Sequence, residues 1–103
     1  MNCSINDVVP LPIPFTDLTS RKVQPAVVIG KNEGDLFLVP ISSVLANVDF
    51  RPSGWQSAGL NVPSGVKAQL ATMKEGLLVK IVGQLAGADS KVLSARLQSW
   101  LYL

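Results

Sequence analysis

The sequence predicts a mainly β fold, a small β-barrel closed by one C-terminal α-helix. Two observations carry that prediction. Short apolar, β-branched runs succeed one another between turns rich in proline and glycine from Asp7 to Leu85. The apolar period then changes to three and four residues, the spacing of an amphipathic helix. Short strands with proline- and glycine-rich turns, closed by one helix, suggest a small barrel. At 103 residues the chain is one domain, residues 1–103, long enough to bury a core without staples.

The elements follow in order. Asp7 to Phe15 is apolar but contains Pro10, Pro12 and Pro14, so it reads as an edge strand or extended segment. Thr16 to Gln24 is polar and reads as a loop. Ala26 to Ile29 is a short β-branched strand started by Pro25, and Gly30 to Asp35 has hairpin-turn composition. Leu36 to Ser42 is the next strand. Residues 43 to 65 are rich in glycine, proline and serine and read mostly as loops. Val66 to Met73 alternates apolar and polar positions, the pattern of a half-buried strand. Leu77 to Leu85 reads as a further strand. Leu93, Leu97, Trp100 and Leu101 form the apolar stripe of the final helix, with Asp89 placed to cap it.

Composition narrows the chemistry. Apolar residues are 48% and charged ones 16%, a globular balance that leaves apolar surface for a partner. The net charge of +2 is too small to signal nucleic acid by itself, though a local basic cluster suffices for RNA. There is no histidine and one cysteine, Cys3. That removes the usual general base, the usual zinc ligand, a thiol nucleophile activated by histidine, and any internal disulfide. No apolar run reaches the ~18 residues of a membrane span, and no leader opens the chain. The expected setting is the cytoplasm, with no membrane partner, no metal and no other cofactor.

What remains is a polar set at strand mouths: Arg21, Lys22, Gln24, Ser42, Ser43 and Lys67. A guanidinium fork matches two phosphate oxygens, and hydroxyls donate or accept, so this set suits a phosphate ligand. On composition alone, solvated loops with turn-forming serines are the favoured reading. Phe15, Phe50 and Trp55, in or beside loops, could stack on a base or line the barrel mouth. Trp100, at helical spacing, reads as core.

Three stretches, "PIPFTDLTSRKVQPAVVIG" (Pro12 to Gly30), "GDLFLVPISS" (Gly34 to Ser43) and "GWQSAGLNVPSGVKAQLATM" (Gly54 to Met73), resemble the MazF/PemK-like toxins of type II toxin–antitoxin systems. The tail "LLVKIVGQLAGADSKVLSARLQSWL" fits the same family, and the match is collinear over nearly the whole chain. The resemblance implies an SH3-like barrel of the CcdB/MazF/PemK type with a C-terminal helix, in a homodimer. It implies a metal-independent endoribonuclease, an mRNA interferase that cuts single-stranded RNA through the ribose 2′-hydroxyl and leaves a 2′,3′-cyclic phosphate. It also implies a cognate antitoxin protein.

For residues, the resemblance implies catalytic roles at positions 24 and 42, and RNA contacts at Thr16, Ser43 and Lys67. Ser42 keeps the family's hydroxyl. Where the family has arginine before proline, this chain has Gln24 before Pro25. Glutamine retains a donor but no charge, and losing one oxyanion donor costs about 3 kcal/mol, or 10²–10³ in rate. Two readings follow. Arg21 or Lys22 supplies the missing charge and the protein cuts RNA. Alternatively the site is weakened and the protein is a binding module for RNA or protein, as gyrase poisons of the same barrel are.

Overall fold

The computed structural model describes residues 2–14 and 21–103, with backbone alone at 13, 14, 21 and 22. Thr16, Phe15 and Asp17 lie outside the described residues. Strand β1 spans Asp7–Pro14, β2 Arg21–Asn32, β3 Asp35–Ser42, β4 Gly65–Val66, β5 Ala71–Lys74 and β6 Gly83–Gln84, and helix α1 spans Gly87–Leu101. The sheet order is β4-β3-β2-β1-β6, with β5 also on β3, and the pairings are antiparallel. The result is a curved half-barrel with one C-terminal helix.

The central strands bury both faces, which explains their unbroken apolar runs. Val8, Val27 and Val39 lie in cross-strand register and join Ile41, Val66 and Leu93 in one core. Val9, Ala26, Val28 and Leu38 point the other way, into a second core closed by Cys3 and Leu78. Between β2 and β3, Glu33 (φ 49°) and Gly34 (φ 86°) form the tight turn expected there. Positive φ at both central residues matches the right-handed twist of the flanking strands.

The prolines decide where pairing stops. The Val8 carbonyl accepts from the Val82 N–H, so even-numbered residues of β1 turn their backbone toward β6. Pro10, Pro12 and Pro14 share that parity and have no N–H to give. β1 therefore pairs with β2 from Val8 to Pro14 but with β6 only at Asp7 and Val8. Beyond Val8 it is the edge strand expected from its prolines. By the same alternation Pro25 faces β3, and the β2–β3 ladder ends next to it, at Ala26↔Pro40.

Three expected elements are corrected. The polar segment Arg21–Gln24 is strand, not loop, because β1 supplies a paired neighbour along its whole length. The strand expected over Val66–Met73 is two short strands. Pro40 faces that edge without an N–H, and residues 67–70 take up four positions against two of β3, between Ile41↔Val66 and Leu38↔Ala71. Leu70, expected inward, is 52% exposed. The strand expected over Leu77–Leu85 is reduced to Gly83–Gln84, preceded by a 3-10 turn at Glu75–Leu77, because beyond Val8 the edge of β1 that faces it carries prolines and no donors.

Helix α1 docks through Leu93, with Leu97 and Trp100 packed partly against the same core. Asp89 is not its cap; Ala86 precedes the first turn, with no side-chain cap. The Asp89 carboxylate instead accepts from Ser53 N–H (3.0 Å), the Ser53 hydroxyl (3.2 Å) and Gly54 N–H (2.9 Å). It is almost fully buried and holds the loop after β3 against the helix. Asp89→Ala leaves two N–H groups without their partner, at about 2 kcal/mol. A thermal midpoint lower by roughly 10 °C is expected in a melt followed by circular dichroism.

On the far side, Lys31 bridges to Glu75 (3.0 Å) and donates to the Cys3 carbonyl (3.0 Å). The Lys31 hydrogen bond, helped by the Cys3 N–H, holds the Glu75 carboxyl below its ordinary 4.5, while burial pushes the Cys3 thiol above its ordinary 9.0. A carboxyl with a lowered folded value stabilises fully above its unfolded value and loses that contribution as pH falls through the folded one. The difference in melting temperature between wild type and Glu75→Gln should therefore be present at neutral pH and shrink below about 4.5.

Candidate active site

The early parting of β1 and β6 opens a groove. After Val8 the two segments cannot stay hydrogen-bonded, and the space between them is walled by the loop that follows β3. The groove encloses about 350 Å³ and is lined by Pro10, Gln24 and Pro25, by Ser43, by Asn61 and Ser64, and by Lys80 and Val82. That volume lies within the roughly 300–1,000 Å³ of small-ligand sites.

Each polar group arrives there for a local reason. Gln24 lies opposite Leu11 in the β1–β2 ladder, half-buried, one residue before the proline that ends the β2–β3 ladder. Ser42 ends β3, and its hydroxyl accepts from the Val44 N–H at 3.0 Å. That turn tucks Ser42 inside at 6% exposure and presents the exposed Ser43 to the groove. Asn61 follows a close crossing of two backbones. A Cβ on Gly59 (φ 86°) would lie 2.4 Å from the Val82 carbonyl oxygen, and one on Gly83 2.3 Å from that of Ala58. Only glycine lets the 58–61 loop sit this close to the approach to β6. The Ser64 hydroxyl donates to the Val62 carbonyl at 2.9 Å, closing the far end of the loop.

Of the residues singled out in the sequence, Gln24 and Ser43 meet in the groove, and Ser42 sits behind Ser43. The backbones of Arg21 and Lys22 precede Gln24 on β2, opposite Pro14 and Ile13. Lys67 is not among the groove residues; it is half-buried and its N–H donates to the Pro40 carbonyl at 3.0 Å. Thr16 lies outside the described residues. Phe50 and Trp55 pack partly against the helix-side core. Asn61, Ser64 and Lys80 were not singled out. Lys80 stands in the conspicuous stretch "LLVKIVG", where it reads as one polar position of a strand.

Much of the described lining is apolar, with Val23, Ile41, Leu60 and Val62 beside the prolines, and its polar groups are amides, hydroxyls and one ammonium, with no carboxylate. Such a set binds and stabilises negative charge.

A solved structure of a mycobacterial endoribonuclease in complex with its cognate antitoxin superposes on this chain with a TM-score of 0.67, over 100% of this chain and 97% of that one. The chain has the fold of an endoribonuclease toxin. With 18% identity, what the two share is the fold, and the mainly β half-barrel with one C-terminal helix agrees with the fold class that the sequence suggested. Neither a protein-family model nor a curated protein sequence matches the chain. No helix among the described residues of this toxin fold is long and apolar enough to cross a membrane.

Proposed function

We propose that the protein is the toxin of a type II toxin–antitoxin pair, a metal-independent endoribonuclease that cuts single-stranded RNA and is neutralised by a cognate antitoxin. The observation that carries this reading is that Gln24 of β2 and Ser43, in the bend after β3, line one open groove together with Asn61, Ser64 and Lys80, on a toxin fold. In the proposed reaction the ribose 2′-oxygen attacks phosphorus, the bond to the 5′-oxygen breaks, and a 2′,3′-cyclic phosphate results. The Gln24 amide and the Ser43 hydroxyl donate to the phosphate oxygens, and Ser42 fixes the turn that aims Ser43. Arg21 and Lys22, just upstream on β2, add positive charge, while Thr16 and Lys67 contact flanking RNA. The exposed Leu77 (68%) and Val79 (75%) support assembly as a homodimer, and the reading places the protein in the cytoplasm.

A second reading, a binding module of the same fold, is favoured by Gln24 where the toxin family has arginine. The exposed C-terminal Tyr102 (97%) and Leu103 (84%) give it a surface for a protein partner. Incubating the purified protein with mixed-sequence single-stranded RNA in EDTA separates the two. The enzyme reading expects fragments ending in 2′,3′-cyclic phosphate. RNA left intact at saturating protein overturns it and leaves the binding module.

A further inference from the structure

We propose that Lys80 is the catalytic cation of the groove, contacting the non-bridging oxygens of the scissile phosphodiester in place of an arginine at position 24. The assignment rests on the ribonuclease reading above and names the group that makes it chemically workable without that arginine.

The geometry points to Lys80 on three grounds. It lines the same groove as Gln24 and Ser43, and it is the one charged side chain among the described lining residues. It is exposed and, among the described residues, enters no ion pair. The described carboxylates are engaged or distant. Glu75, Asp35 and Asp49 pair with Lys31, Lys74 and Arg96, and Asp7 and Asp89 hold backbone N–H groups. Glu33 sits in the β2–β3 turn at the end of that hairpin. The third ground is rigidity. Two residues after Lys80, Val82 is pinned by its N–H to the Val8 carbonyl at 2.7 Å, and Gly83 is locked against Ala58. An exposed ammonium just ahead of an anchored backbone, beside neutral donors and unpaired among the described residues, is a positive charge available to a ligand in the groove.

In the reaction the 2′-oxygen to phosphorus bond forms as the phosphorus to 5′-oxygen bond breaks. The 2′-hydroxyl proton leaves to water and the 5′-oxygen takes one from water. Lys80 keeps its protons throughout and offsets the charge that gathers on the phosphoryl oxygens, and it is worth most in the transition state.

The test is single-turnover cleavage of a short labelled single-stranded RNA of mixed sequence. Lys80→Ala should lower the cleavage rate about 10²–10³-fold with an unchanged melting temperature. Lys80→Arg should retain most of the activity. Gln24→Arg added to Lys80→Ala should recover at least tenfold, which a merely structural lysine would not allow. Undiminished cleavage by Lys80→Ala overturns the assignment alone, as does a loss that neither Lys80→Arg nor Gln24→Arg restores. A wild-type protein that leaves the RNA intact overturns the ribonuclease reading and the assignment with it.

Discussion

Gly59→Ala is expected to lower the thermal midpoint by about 15 °C or to prevent folding altogether. Two costs add. A side chain at φ 86° is strained by roughly 1–2 kcal/mol. The new methyl also meets the Val82 carbonyl oxygen at 2.4 Å, a backbone atom that cannot rotate aside, at about 1–3 kcal/mol. Gly83→Ala carries only the second cost, against the Ala58 carbonyl at 2.3 Å, and should lose roughly 10 °C. Gly76→Ala is the control, because a Cβ there meets nothing within 4 Å. Its melting temperature should stay level or rise slightly. Differential scanning calorimetry of the three variants checks the set. Equal losses at all three sites would contradict the close crossing of the 58–61 loop with the approach to β6.

Gln24→Arg is expected to raise RNA cleavage about tenfold in the wild-type background. The gain should be greater where Lys80 is absent, since the two cations would serve the same oxygens. The half-buried position opens on the groove and has room for the longer side chain. Gln24→Glu should act oppositely. On the proposed ribonuclease reading, a carboxylate there repels the RNA phosphate, and two unit charges ~4 Å apart interact by about 4 kcal/mol at an effective dielectric of 20. A loss of at least a hundredfold is expected. Initial rates with one RNA substrate across the three proteins measure both changes. A Gln24→Glu protein as active as wild type would place the phosphate elsewhere.

Much of the fold was readable because its strongest signals are local. Val27 and Val28, or Leu38 and Val39, can only be a strand with both faces covered. Glu33 and Gly34 announce their turn, and Leu93, Leu97 and Trp100 announce their helix. The misread segments, 66–73 and 77–85, have good strand patterns that their neighbours do not complete. Pro40 withholds a donor from one and Pro10 from the other, and no local pattern shows which strand a proline will face. The site divides in the same way. Gln24, beside the proline at which the β2–β3 ladder stops, and Ser43, just past the end of β3, were visible there. Lys80 gains its place only because β1 and β6 part after Val8, and Asp89 only because the 53–54 loop folds back on the helix. Both are tertiary facts.

The proline spacing along β1 has one more consequence. From Pro10 to Pro14 the outer border of the sheet offers carbonyl oxygens and no N–H at all. A hydrogen-bonded ladder needs donors from both sides, so no incoming peptide can zip onto this rim. This border is thereby chemically mute toward strand-by-strand growth. A protein with so apolar a composition gains from it protection against fibril-like self-association, at no cost in surface charge.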